Sequence, residues 1–216
     1  MFNLSVYLVT DSRLAAAAGH DLVDLVRSAA EAGVTAVQLR EKDASAREFL
    51  DTVLRVAAVL PEGVALIVND RVDVFLAARL AGARVSGVHI GQSDLPVEAV
   101  RELIGADATL GLSAATDDEV HRAEMSAARV DYLGIGALHA TPTKSDAPPP
   151  LGHDGLARLL AATALPAVAI GGVKRADLPA LRSAGAVGAA VVSAICSAAD
   201  PAAAARELRA AWEAAA

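Results

Sequence analysis

Cysteine is almost missing from this chain. Cys196 stands alone in 216 residues, which excludes an intrachain disulfide and any zinc site built on several cysteines. Aromatic residues make up 3 % of the chain, against 52 alanines, a balance that suits closely packed helices better than an aromatic binding face. Positive charge is the minority: 19 Lys and Arg face 26 Asp and Glu, for a net charge of −7 with no basic run, which argues against nucleic acid as a partner. No apolar stretch approaches the roughly 18 residues of a membrane span without a charge or turn signal, and the N-terminus lacks a basic segment followed by an apolar one. A cytoplasmic protein without a membrane partner is therefore expected. What the chain does have is apolar mass. It is 54 % hydrophobic with a mean hydropathy of +0.42, which excludes disorder and permits a sizeable core.

Short apolar runs recur at a regular interval, and strands are expected at 6–10, 36–40, 65–69, 87–90, 109–113, 132–136, 167–171 and 189–193. Most lack the alternation of a sheet with one wet face; near-continuous apolar runs suit strands covered on both sides. Between them the spacing is helical. Leu22, Leu25, Val26, Ala29 and Ala30 fall at i, i+3, i+4, i+7 and i+8, and similar patterns occupy 46–60, 72–82, 97–104, 117–128, 154–163, 175–184 and 201–213. Eight β-then-α units leave little for anything else, so residues 1–216 are read as one domain, an α/β TIM barrel of (β/α)8 type. Closure removes both sheet edges; an open doubly wound sheet is the alternative. Alanine-rich outer helices are compatible with a homo-oligomer.

In such a barrel, chemistry belongs at the C-terminal ends of the strands. The second expected strand ends Gln38-Leu39-Arg40-Glu41-Lys42, so Gln38, Arg40 and Lys42 share one face and Leu39 the other. Two cations and an amide facing the barrel axis need an anionic ligand; the alternative is that Arg40 and Lys42 lie in solvent and pair with Glu41, Asp43 or Glu48. The third strand ends Asn69-Asp70, and the fourth leads through His89-Ile90-Gly91-Gln92-Ser93 to Asp94. Carboxylates on neighbouring loops can together hold Mg²⁺; the alternative is that they cap the helices that follow, Pro96 marking one start. The basic group beside them favours the metal, because Mg²⁺ with Arg and Lys is how proteins hold a diphosphate.

Ser113 ends the fifth strand, where a hydroxyl can donate to an anionic oxygen. His89 is expected to be a hydrogen-bonded barrel histidine rather than a base, and Cys196 an inert thiol; His20, His121 and His153 are given no role. The longest irregular segment, 138–152, carries Thr141-Pro142-Thr143-Lys144, whose hydroxyls and lysine suggest phosphate contacts. Gly171-Gly172 and Val192-Ser193 end the last two strands, where barrels often bind phosphate through bare backbone N–H groups. Two anion sites are thus expected on one mouth, one fit for a diphosphate and one for a monophosphate. That describes an enzyme joining or cleaving phosphorylated small molecules.

Taken in order from Tyr7-Leu8-Val9-Thr10-Asp11 to Val192-Ser193-Ala194, these motifs resemble the thiamine-phosphate synthase family over essentially the whole chain. The resemblance implies a (β/α)8 barrel and a transferase of thiamine biosynthesis. Such an enzyme couples two phosphorylated small-molecule substrates, a hydroxymethylpyrimidine diphosphate and a thiazole phosphate, to give thiamine phosphate and diphosphate. By motif it implies that Gln38, Leu39, Arg40, Glu41, Lys42, Asn69, Ser113 and Lys144 receive the pyrimidine diphosphate, with Arg40, Lys42, Lys144 and Ser113 as the catalytic set. Asp70 and Asp94 would hold Mg²⁺. Thr141, Pro142, Thr143, Gly172, Val192 and Ser193 would take the thiazole phosphate. The sequence departs from the family at Ser93, where an acid is frequent, and at His139-Ala140, which replaces an aromatic-containing pair. A thiazole tautomerase-like isomerase and a non-catalytic thiamine-precursor binding or regulatory protein are the competing readings. Neither requires Arg40, Lys42, Asp70, Asp94 and Lys144 together.

Overall fold

The structure is a computed structural model that describes residues 3–141 and 149–215. The first half runs β1 (Val6–Val9), α1 (Ser12–Ala17), α2 (Leu22–Ala32), β2 (Ala36–Leu39), α3 (Ala46–Val59), β3 (Ala65–Asn69), α4 (Val72–Leu80), β4 (Gly87–Ile90) and α5 (Val97–Ile104). The second half runs β5 (Thr109–Ala114), α6 (Asp117–Met125), β6 (Tyr132–Gly136), α7 (Gly152–Ala161), β7 (Ala167–Ile170), α8 (Leu178–Ser183), β8 (Gly188–Val191), α9 (Ser193–Cys196) and α10 (Pro201–Ala214). All strand pairs are parallel, and β1 closes on β8 through Val6↔Ala189 and Tyr7↔Ala190, so the sheet is a closed eight-stranded barrel and not an open one. Among the described residues no helix is long and apolar enough to cross a membrane.

Parity within each strand sorts side chains into two cores. Leu8, Val37, Leu39, Leu66, Val68, Val88 and Ile90 point outward and meet Leu25, Val26, Phe49, Val53 and their neighbours on the helices. Tyr7, Val9, Ala36, Ala65, Ile67, Tyr132, Val168 and Ala190 point inward and fill the barrel. The inner set is mostly small because two tyrosines must cross it. At Gly111 a Cβ would sit 2.3 Å from Tyr132 Cζ and 2.4 Å from His89 Nδ1, so a side chain there would evict one of them.

Two short helices were not visible as periodic patterns. α1 spans one and a half turns after Asp11, whose carboxylate accepts the Leu14 N–H at 3.0 Å, and a stretch that short shows no apolar stripe. α9 begins at Ser193, so β8 stops at Val191 and Val192-Ser193 form the turn into a helix rather than the strand's end.

Candidate active site

A cavity of about 510 Å³ opens at the C-terminal ends of the strands. Gln38 on β2 and Arg40 and Lys42 in the residues just after it line this cavity, the alternation expected of the motif. Thr10, wholly buried, fixes where the strand lets go: its Oγ1 accepts the Arg40 N–H at 3.1 Å. The acids nearby bond elsewhere. Glu41 accepts from Ser12 Oγ at 2.7 Å, Asp43 pairs with Arg13, and Glu48 completes a capping box with Ser45. Leu39 and Glu41 turn away from the cavity, Leu39 into the helix-facing core and Glu41 toward α1. Burial pushes the Glu41 carboxyl above its ordinary range, and its Oε1 has no hydrogen-bond partner among the described residues.

Asn69, Asp70 and Asp94 line the same cavity. The helices after them, α4 and α5, have Arg71 and Pro96 at their N-cap positions and no side-chain cap, so neither aspartate is a capping residue. Asp94 instead accepts the Gly91 N–H at 2.6 Å, bracing the loop that carries it. Asp70 sits at φ 58°, a left-handed conformation uncommon outside glycine, which turns its carboxyl back over the mouth. Burial first, and the Asp94 carboxylate second, push the Asp70 carboxyl up to about 6, with Asn69 and Lys42 opposing the shift. Two carboxyl groups held this close share a proton or a cation.

Beneath the cavity runs a hydrogen-bonded row. Gln38 Nε2 donates to Tyr7 OH at 2.9 Å; Tyr7 OH lies 2.7 Å from Tyr132 OH, which lies 2.9 Å from His89 Nδ1. His89 Nε2 in turn meets Ser113 Oγ at 3.0 Å. The row gives the buried Tyr7 and Tyr132 hydroxyls and both His89 ring nitrogens polar partners, and it holds the Ser113 hydroxyl at the edge of the cavity. Gln92 Nε2 adds a brace on the Ser113 carbonyl at 2.7 Å. His89 is therefore a bonded barrel histidine, as expected. Sequence reasoning missed Tyr7 and Tyr132 as parts of the site. Their signal was a polar tip at inward parity, which burial obliges to find a partner.

The opposite wall is made of backbone and small side chains. Thr141, Gly171, Gly172, Val192 and Ser193 line it. Gly172 has φ 68°, and a Cβ there would lie 2.9 Å from His139 Cβ and 3.3 Å from the Ala140 carbonyl oxygen. Pro142, Thr143 and Lys144 lie outside the described residues. Cys196 is buried, and burial pushes its thiol up to about 11, in keeping with an inert group.

Fold and site together define a (β/α)8 barrel whose mouth sets cations and paired carboxylates opposite a glycine-rich wall. A family model described as thiamine monophosphate synthase matches residues 6–195, and the chain belongs to that family. The thiamine-phosphate synthase of Albidiferax ferrireducens is 47 % identical over 208 residues, covering 95 % of this chain and 90 % of its own. That of Vibrio parahaemolyticus is 46 % identical over 207 residues, covering 94 % and 95 %. Among solved structures, a thiamine phosphate pyrophosphorylase from Pyrococcus furiosus superposes with a TM-score of 0.85 at 33 % identity, covering 98 % of this chain and 96 % of that one.

Proposed function

We propose that this chain joins the methylene carbon of a pyrimidine diphosphate to the nitrogen of a thiazole phosphate, giving thiamine phosphate and releasing diphosphate. The observation that carries the reading is convergence: Arg40, Lys42, Asn69, Asp70, Asp94 and Ser113 share one cavity with Thr141, Gly171, Gly172, Val192 and Ser193. Arg40 and Lys42 neutralise the diphosphate as it leaves, joined by Lys144, which lies outside the described residues. Gln38, Asn69 and Ser113 hold the pyrimidine end, the row of hydrogen bonds keeping the Gln38 amide and the Ser113 hydroxyl in fixed directions. Leu39 and Glu41 act through the backbone on either side of Arg40, since their side chains point elsewhere.

The two carboxylates suit Mg²⁺: they are all-oxygen donors, close enough for one to raise the other's pKa, and neither is consumed as a helix cap. Bound there, Mg²⁺ supplies further neutralisation of the leaving diphosphate. Once the C–O bond breaks, the pyrimidine-methyl cation is captured by the thiazole nitrogen. The thiazole phosphate is anchored by Thr141, Pro142, Thr143 and backbone N–H groups at Gly172, Val192 and Ser193. No protein nucleophile is needed. This agrees with His89, whose ring nitrogens both face bonded partners rather than a reacting proton.

The test supplies both phosphorylated precursors with Mg²⁺ and measures thiamine phosphate and diphosphate. Equal release of both products is expected. Isomerisation of a thiazole without diphosphate release would transfer the chain to the tautomerase reading, and binding without turnover would leave a precursor-binding protein.

A further inference from the structure

A second cluster of ligand-type side chains lies beside the cavity without lining it. His139 follows β6, His153 lies in the first turn of α7, and Asp177 closes the short 3₁₀ turn after β7. His139 Nε2 is 3.1 Å from Asp177 Oδ2, and His153 Nε2 is 3.1 Å from Asp177 Oδ1. One ligand atom from each residue fits within 4.8 Å of the others. We propose that His139, His153 and Asp177 form a binding site for a zinc-class divalent ion that clips the two ends of the Thr141-bearing segment to the β7–α8 connection.

The distances favour such an ion. With Zn–N near 2.0–2.1 Å and Zn–O near 2.0–2.2 Å, the edges of a tetrahedron are about 3.3–3.5 Å; both histidine–Asp177 spacings of 3.1 Å are close to that, and the three ligand atoms, within 4.8 Å of one another, are drawn together by rotation of the two imidazoles. The imidazoles cross at 72° with centroids 5.7 Å apart, edge to face rather than stacked, and both Nε2 atoms converge on one carboxylate. That carboxylate is preorganised: Asp177 is 9 % exposed, and its Oδ2 accepts the Lys174 N–H at 2.8 Å. The imidazole side chains are 36 % and 43 % exposed, so an ion has a route in from solvent. Two imidazoles with one carboxylate select zinc-like ions over Mg²⁺, which prefers the all-oxygen pair at Asp70 and Asp94. Three protein ligands leave the fourth position to water.

The backbone shows what the clip would hold. His139 N–H donates to the Gly171 carbonyl at 2.9 Å, Leu151 N–H to Ala137 at 2.8 Å, and Gly152 N–H to Leu138 at 3.1 Å. The segment therefore leaves and returns through one narrow neck, against the wall that carries Gly172. An ion at the neck fixes both of its sides at once. The site stands or falls independently of the reaction proposed above.

Chelator-treated protein, free of Mg²⁺ and substrates, is titrated with Zn²⁺ alone and, separately, with Co²⁺. One Zn²⁺ per chain, a rise in Tm, and the visible absorption of four-coordinate Co²⁺ are expected. His139→Gln and His153→Gln, both at partly exposed positions, should keep the wild-type circular dichroism and lower Zn²⁺ affinity by more than about 10-fold. The double variant Asp70→Asn, Asp94→Asn should leave Zn²⁺ binding unchanged. Absence of stoichiometric Zn²⁺, a six-coordinate Co²⁺ spectrum, or binding that survives both histidine variants and vanishes in the aspartate double variant would each overturn the proposal and leave the cluster as a hydrogen-bonded clasp.

Discussion

The two halves of one rim carry different chemistry. From β2 to β5 the cavity is lined by charged and amide side chains: Arg40, Lys42, Asn69, Asp70 and Asp94. From β6 to β8 it is lined by Thr141, a glycine pair at φ 91° and 68°, Val192 and Ser193. A leaving group gains charge as its bond breaks, and mobile formal charges placed at that end act where the transition state differs from the bound substrate. A phosphate that only anchors its molecule has the same charge throughout. Backbone N–H groups suffice for it, and glycine lets them approach. Under the proposed function, the contrast would divide the rim into a side that accelerates and a side that holds.

The largest effect should come from the accelerating side. Arg40→Met is expected to lower kcat by about 10²–10³-fold while the KM for thiazole phosphate stays near wild type. Steady-state kinetics with each substrate varied would check it. A matching rise in that KM would erase the division between the halves.

Gly172→Ala probes the holding side. The added Cβ meets His139 Cβ at 2.9 Å in a backbone conformation that alanine resists, so the wall must shift. The KM for thiazole phosphate should rise by about 10-fold with kcat little changed, the mark of lost uniform binding. A loss confined to kcat would put this wall on the accelerating side. His89→Phe sharpens the comparison from below. It strips Tyr132 and Ser113 of a partner at once and should destabilise the fold by about 1–3 kcal/mol in urea unfolding, with a smaller loss of kcat than Arg40→Met. A larger kcat loss than that of Arg40→Met would make His89 a participant in the chemistry.

The barrel was legible because its strands are buried on both faces and its helices carry one apolar stripe; both leave a period in the sequence. The charged half of the rim was legible for a related reason. Gln38, Arg40 and Lys42 alternate along the end of β2 and the residues just after it, opposite Val37 and Leu39, and such a pattern has few structural explanations. Where the Glu41 side chain turns was not legible from its place in the motif, because it depends on Ser12 in a helix too short to announce itself. Tyr7, Tyr132 and His89 are far apart in sequence, and only closure of the barrel joins them. His139, His153 and Asp177 likewise meet only in the fold, where β6 pairs with β7.

The smallest effect is one of stability, and its sign is opposite to what removing a charged residue from a site usually suggests. Burial and Asp94 raise the Asp70 carboxyl from 3.8 to about 6 in the folded protein. The folded state then binds this proton more tightly than the unfolded state. The group's contribution is fully present below 3.8 and is lost as pH rises through about 6. Above that range, with no divalent ion, the ionised Asp70 strains the mouth. Asp70→Asn should therefore be more stable than wild type at about pH 7.5, by roughly 1 kcal/mol after solvent screening, or about 2–4 °C in Tm. Below about pH 3 the two should coincide. Adding Mg²⁺ with diphosphate should reverse the order, because only the wild type keeps both carboxylates to bind it. Should Asp70→Asn melt below wild type at high pH without any ion, the carboxylate is already balanced by Arg40 and Lys42, and the charged half of the rim is at rest rather than poised for a cation.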